Sequence, residues 1–384
     1  MRIAIVLSPG CHFSREAPET FETVVCGHLD GGDFGHHISV LVDRPAASPP
    51  ASEKVELIEI SGSRLHRARD REIADAIRSL GPDYVEVHQD ISCASYLSRS
   101  FPSLPVALYR HNREAPNIGF LRGIERRIRI RNVRSVICVS EACRQSFVAA
   151  CPHLGANTHT VPTGIDPQKW RGSPKKRDPL IVFAARPTEH KGFGEICEAL
   201  ERVLDARPDW RAVLLCRQWD SINASYENYA KLQADRLKRF GNRATVLIDQ
   251  PVSVVQEHMQ RAAIVIVATK RGEAFGLPAL EAHMAGAALI SSGVGGLQEI
   301  SGEQAFMLAH VTPSAIEDGL IRLIDNPQYR TKLAELGQAR ASKKFASKVA
   351  AAELDSVRNK IVTDHQARKK PGAFAQAAST SVDR

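Results

Sequence analysis

The stretch from Ala262 to Glu299 constrains this chain more than any other. Ala262 to Thr269 is an apolar run of strand length and reads as a buried strand. Glu273-Ala274-Phe275-Gly276-Leu277-Pro278 follows as a loop, and Pro278 suits the first position of a helix, where its missing N–H would be unpaired in any case. Ala287 to Ser292 is a second short strand, followed by Gly293-Val294-Gly295-Gly296-Leu297-Gln298-Glu299. Glu273 therefore sits in a loop feeding a helix N-terminus, and Glu281, eight residues on, lies about two turns into the helix at most. The free N–H groups of such a terminus seat an anion such as a phosphate. A carboxylate beside them accepts hydrogen bonds from sugar hydroxyls.

Leu180 to Ala185 is another apolar strand, followed by Arg186-Pro187-Thr188-Glu189-His190-Lys191-Gly192. An Arg and a Lys five positions apart in that loop can converge on one diphosphate, Arg as a planar fork and Lys as a mobile point charge. The first half alternates too, with strands expected from Ile3 to Leu7, His37 to Val42, Tyr84 to His88, Val106 to Tyr109 and Ser135 to Val139. A helix is expected from about Arg67 to Leu80, with apolar positions Ile73, Ala76, Ile77 and Leu80, stopped by Gly81-Pro82. Such alternation predicts parallel α/β sheets, whose ligands bind beyond the carboxyl ends of the strands. A length of 384 residues exceeds one ordinary core and implies two domains. The polar Gly/Pro stretch from Arg171 to Pro179 divides them. The expected domains are 1–172 and 173–345, then a crossover helix over 346–364 and a disordered tail over 365–384.

No apolar run approaches about 18 residues, so no membrane-spanning helix is expected. The first apolar run, Ile3 to Leu7, is too short for a secretory leader and ends in Pro9-Gly10 like a strand. Eight cysteines without a C-x2-C pair give no zinc spacing and fit a reducing cytoplasm. A net charge of +8 favours anionic partners. With aromatics at 6% and no nucleic-acid module in the sequence, nucleic acid is not among them.

Strand, Glu loop, helix, strand, Gly-Gly turn, Glu, with Arg186 and Lys191 upstream: this order resembles the C-terminal half of the GT-B glycosyltransferases of glycosyltransferase family 4. The likeness is strong from Leu180 to about Ser347 and looser before it, where Ser140-Glu141-Ala142 and Val161-Pro162-Thr163-Gly164-Ile165-Asp166 resemble family segments. Two places depart from the family pattern. The loop from Ser8 to Glu16 lacks the usual Gly-Gly pair, which leaves Gly10 as the candidate for close backbone approach to the donor. Leu214-Leu215-Cys216-Arg217-Gln218 lacks the usual Gly-x-Gly.

The resemblance implies an α/β GT-B fold: two Rossmann-like domains facing a central cleft, with the C-terminal helix crossing back to the first. It implies a retaining hexosyl transfer from a nucleotide-diphosphate sugar, UDP- or GDP-linked, used as substrate. Arg186 and Lys191 would hold the diphosphate, Glu281 the ribose hydroxyls and Glu273 the donor sugar, with Phe275, Gly276 and Leu277 lining the pocket. His111, after the strand Val106 to Tyr109, stands at the position of the family's active-site His, and His88 at a neighbouring strand end ranks below it. The expected catalytic set is thus His111, Glu273, Arg186 and Lys191. Asp-x-Asp occurs nowhere, so neither a metal nor a cofactor is expected; Arg186, Lys191 and the helix N-terminus meet the leaving charge.

The acceptor side is carried by 120–134, with six Arg against one Glu and apolar residues at 120, 121, 124 and 128 at helical spacing. Such a helix could lie on an anionic membrane surface, bind a phosphorylated lipid-linked glycan, or be an ordinary helix with a solvated basic face. The reading taken is an enzyme acting on a glycan or glycolipid acceptor, such as lipopolysaccharide core or exopolysaccharide, in the cytoplasm and peripherally on the inner face of the membrane. A transferase acting on a small soluble acceptor, or a non-catalytic nucleotide-sugar-binding protein, stand as alternatives. The intact Glu273, Glu281, Arg186 and Lys191 argue against the second.

Overall fold

A computed structural model describes residues 1–11, 13–14, 20–32, 34–43, 54–61, 66–114, 128–219 and 224–368. Strands β1 (Arg2–Val6), β2 (His37–Val42), β3 (Val55–Glu59), β4 (Tyr84–His88), β5 (Val106–Arg110), β6 (Ser135–Cys138) and β7 (Thr158–Thr160) form one sheet in the order β3-β2-β1-β4-β5-β6-β7. Strands β8 (Asp178–Ala185), β9 (Arg211–Cys216), β10 (Ala244–Ile248), β11 (Ala262–Val267), β12 (Ala288–Ser291) and β13 (Phe306–Met307) form a second, in the order β10-β9-β8-β11-β12-β13. The pairings are parallel, with Ile5 opposite Val40 in the first sheet and Val265 opposite Val182 in the second. Parallel sheets are covered by helices on both faces, which is why their central strands read as unbroken apolar runs; every residue of β4, β5 and β11 is buried. The fold is therefore the expected two-sheet α/β GT-B architecture. In each sheet the strand order reverses once, between β1 and β4 and between β8 and β11. A crevice opens at such a reversal, beyond the carboxyl ends of the strands.

The chain returns to the first sheet through its last helix, Ser347–Ala367, which packs on Thr20–Gly31. The approach is close enough that a Cβ on Gly31 would come within 2.1 Å of the Ser347 carbonyl oxygen. At the helix start, Ile165 N–H donates to the Phe345 carbonyl at 3.1 Å and Ser347 N–H to the Ile165 carbonyl at 2.9 Å. Deeper in, Arg358 donates through Nε and Nη2 to the Glu86 carboxylate at 2.8 and 3.0 Å, and both side chains are buried. Burial opposes Glu86 ionisation, but the Arg358 charge and its hydrogen bonds prevail and hold the carboxyl far below its usual range.

Some expectations need correction. The helix over Leu277–Ala285 starts one residue before Pro278. Its cap is Gly276 at φ +105, where a Cβ would also meet Leu297 Cδ2 at 2.4 Å, so only glycine fits. Two linker residues, Asp178 and Pro179, belong to β8. Arg177 is tied down as well, its guanidinium donating to the carbonyls of Met259 at 3.2 Å and Gln260 at 2.5 Å. Disorder from His365 is not found: the helix runs on to Ala367, and Arg368 fastens its end to Asn157 Oδ1 at 2.9 Å. The rest of the expected tail, 369–384, lies outside the described residues. So does most of the basic segment, through residue 127. Its remainder turns Ile130 and Val133 into the core and leaves Ile128 58% exposed, so residue 128 does not share a buried face with them. Among the described residues no helix is long and apolar enough to cross a membrane.

Two core histidines make the fold acid-sensitive. Burial, aided by the nearby Arg358 charge, lowers His28 to about 3, and burial with Arg340 lowers His283 to about 4, from 6.5. The unfolded chain takes up both protons first, so this stability is whole above about pH 6.5 and is lost as pH falls toward 4. Urea unfolding should therefore show a lower midpoint at pH 5 than at pH 7, with part of that difference abolished in His283→Leu. An equal pH difference in the variant would mean that His283 titrates normally in the fold.

Candidate active site

The reversal point of the second sheet brings two loops together. One follows β8 and carries Arg186 and Lys191; the other follows β11 and carries Glu273. Lys270 N–H donates to the His190 carbonyl at 2.9 Å and joins the loops. The Lys191 ammonium then forms a direct ion pair with the Glu273 carboxylate, and Thr269 Oγ1 donates to the same carboxylate at 3.2 Å. Burial would raise the Glu273 carboxyl, but the Lys191 charge and hydrogen bond, with Thr269 and His190, bring it below the usual range. Its backbone is pinned too, Gly296 N–H donating to the Glu273 carbonyl at 2.8 Å. The sequence marks Lys191 and Glu273 as separate contacts; adjacent central strands make them a pair across 82 positions. Arg186, in the loop after β8, is exposed and has no side-chain partner among the described residues; its charge and that of Lys191 both act on His190.

The helix start is a smaller anion seat than expected. Pro278 has no N–H, and the Ala279 and Leu280 amides both turn to the Gly276 carbonyl, at 3.0 and 3.3 Å, which leaves the Leu277 amide. Leu277 is half-buried, whereas Phe275 is only 6% exposed and packs edge-on against Phe345. Phe275 therefore anchors the loop in the core.

On the first sheet, His111 lies just past β5 and is buried. His88 Nδ1 is 2.9 Å from His111 Nε2, and His88 Nε2 is 3.3 Å from Glu86 Oε1. The Gln89 side-chain carbonyl accepts from the His111 backbone N–H at 3.0 Å. His88, ranked second by sequence, is therefore the direct partner of His111. Gly10 sits in the loop after β1 at φ +85, with open space where a Cβ would stand. Its N–H already donates to Asp43 at 2.7 Å.

The carboxyl ends of the two sheets face each other. Ser140, after β6, donates its hydroxyl to the Ala274 carbonyl in the Glu273 loop. The Glu299 carboxylate accepts from the Glu141 and Ala142 amides at 2.9 and 2.8 Å, capping the helix Glu141–Ala150 from the opposite domain. The Arg113 guanidinium reaches over from the first domain, close enough that a Cβ on Gly295 would stand 3.0 Å from its Nη1. Sequence reasoning missed Glu86, Arg113 and Arg358. A readable signal existed for Glu86: alternation along Tyr84-Val85-Glu86-Val87-His88 puts a carboxylate and an imidazole on one face of a strand that is otherwise apolar. Among the described residues no three His, Cys, Asp or Glu side chains gather as a metal-binding set.

Comparison with known proteins bears on the same residues. The model for glycosyl transferases group 1 matches 165–340, and that for Glycosyltransferase Family 4 matches 25–169. A D-inositol 3-phosphate glycosyltransferase of Corynebacterium glutamicum (strain R) is 28% identical over 188 residues, covering 48% of this chain and 44% of the relative. The chain thus matches less than half the length of that relative. Sucrose-phosphate synthase from Thermosynechococcus elongatus superposes with a TM-score of 0.77 at 14% identity, over 95% of this chain and 100% of the other. Anabaena HepE in complex with UDP and glucose gives 0.72 at 15%, over 93% and 99%. At these identities the two structures speak for the fold.

Glu281 lies on the helix behind the Glu273 loop and makes no hydrogen bond among the described residues. Burial raises its carboxyl to about 7, against the pull of the Arg217 cation. Carbon-13 NMR titration should place the Glu281 midpoint near 7 and move it higher in Arg217→Met. A midpoint in the ordinary carboxylate range would show that the side chain is solvated.

Proposed function

Because this chain belongs to the group 1, family 4 glycosyltransferases, we propose that it transfers a hexose from a nucleotide-diphosphate sugar, with retention of configuration and without a metal. The observation that carries this reading is the Lys191–Glu273 pair at the reversal point of the second sheet, facing the His111 side of the first. A departing diphosphate gains charge as the glycosidic bond breaks, and groups that meet that charge better than they meet the bound donor speed the reaction. Lys191 holds one such position. Arg186, exposed and without a side-chain partner among the described residues, meets the phosphates with a second cation. Glu273, kept ionised by Lys191, carries the negative charge suited to a sugar ring that becomes cationic. Glu281 takes the ribose hydroxyls; binding them as a carboxylate releases its proton near pH 7.

For the acceptor, the names of the relatives favour a small phosphorylated molecule: one glycosylates D-inositol 3-phosphate, another makes sucrose phosphate. The net charge of +8 and the Arg-rich 120–134 support the other reading, a lipid-linked envelope glycan met at an anionic membrane from the cytoplasmic side.

Calorimetry with UDP, GDP and ADP in EDTA should find one diphosphate that binds wild type. Lys191→Ala should weaken it by about ten- to a hundredfold, the loss of one charge-assisted contact. Unchanged affinity in the variant would remove Lys191 from the donor site. Sedimentation with anionic vesicles at physiological salt separates the acceptor readings: the membrane reading requires co-sedimentation, and protein left in the supernatant sinks it.

A further inference from the structure

Four side chains from three parts of the sequence, Glu86 and His88 sharing β4, form a continuous buried line: Arg358, Glu86, His88 and His111. With both rings neutral, the contacts fix where each hydrogen lies. Arg358 can only donate. Glu86, ionised beside it, can only accept, so His88 Nε2 at 3.3 Å carries the hydrogen of that contact. A neutral His88 then has a bare Nδ1. His111 Nε2, 2.9 Å away, must donate to it. A neutral His111 is left with a bare Nδ1, and that atom is buried without a partner among the described residues. The Tyr109 ring stacks on both imidazoles, at 4.8 Å and 12° from His88 and 4.9 Å and 19° from His111, and holds them nearly parallel. Burial, with His88 and Arg110 alongside, disfavours the His111 imidazolium.

We propose that Glu86 and His88, anchored by Arg358 of the crossing helix, are positioning residues that lock His111 in the tautomer with a bare Nδ1, which accepts a hydrogen bond from a sugar hydroxyl in the cleft. The identity of that ligand rests on the transferase reading. The tautomer does not. A histidine without this line behind it would present an N–H as readily as a lone pair.

Long-range proton–nitrogen correlation on the full chain labelled with nitrogen-15 histidine reads the tautomer directly. Wild type should show both His88 and His111 protonated on Nε2 alone. The double variant Glu86→Ala with Arg358→Met removes both charges together and leaves neither buried without its partner. In it His111 should populate both tautomers, and kcat should fall about ten- to a hundredfold, as expected for a misaligned contact. Diphosphate affinity should hold, and the single variant Arg358→Lys, which keeps Glu86 beside a cation, should retain the wild-type tautomer. A wild-type His111 protonated on Nδ1, or a double variant whose tautomer is unchanged, overturns the proposal. Should the double variant fail to fold, the wild-type spectrum still decides. Absence of turnover by wild type with every donor would defeat the transferase reading and leave the tautomer result standing.

Discussion

Two sheets that share a continuous apolar core have to be held at one spacing for anything to happen between them, and the buried Arg358–Glu86 pair ties the crossing helix to the first of them. Removing two charges from water is costly, and such a pair is tolerated only when its geometry satisfies both partners. Here the bidentate contact does so, while the same helix meets the first domain through glycine contacts and the backbone bonds of Ile165. The clamp lies at the back of the molecule. At the front, Ser140 and Glu299 bridge the rims of the cleft. A cleft fastened on two sides can present Lys191 and Glu273 from one domain and His111 from the other in a fixed relation, which is what pre-organised catalysis requires.

The sequence made the order of elements legible because parallel strands covered on both faces must be apolar throughout. Ala262 to Thr269 and Leu180 to Ala185 could be read as little else. Glu273, Lys191 and His111 were legible because each sits in a loop directly after such a strand. What could not be read was pairing. Nothing local in Lys191 or Glu273 says that one holds the other, since the contact depends on β8 and β11 being neighbours. Arg358 carries no local signal, because a helical period shows which side is apolar but not which buried carboxylate lies beneath it. The start of the expected tail differs: polar composition suggested disorder from His365, whereas the helix runs on to Ala367 and Arg368 meets Asn157 beyond it.

Net charge is a poor guide to the site itself. The chain is strongly basic, yet Lys191 is neutralised by Glu273 and Arg358 by Glu86. Among the described residues, the cations left without a side-chain partner at the site include Arg186 and Arg113, both exposed. An anion approaching from solvent therefore meets an open positive rim before it meets a balanced interior. This arrangement draws the ligand in without leaving an uncompensated cation in the interior.

The Glu299 cap has a further consequence. Its carboxylate completes a helix that belongs to the other domain, and Ser140 serves the same helix from its own side through the Cys143 amide at 2.9 Å. Were the rims to part, the helix would keep the bond from Ser140 and lose the two from Glu299, so its first turn would be less well capped. Separation of the domains and fraying of that turn would then share a single coordinate, and the secondary structure of one domain would gauge its distance from the other.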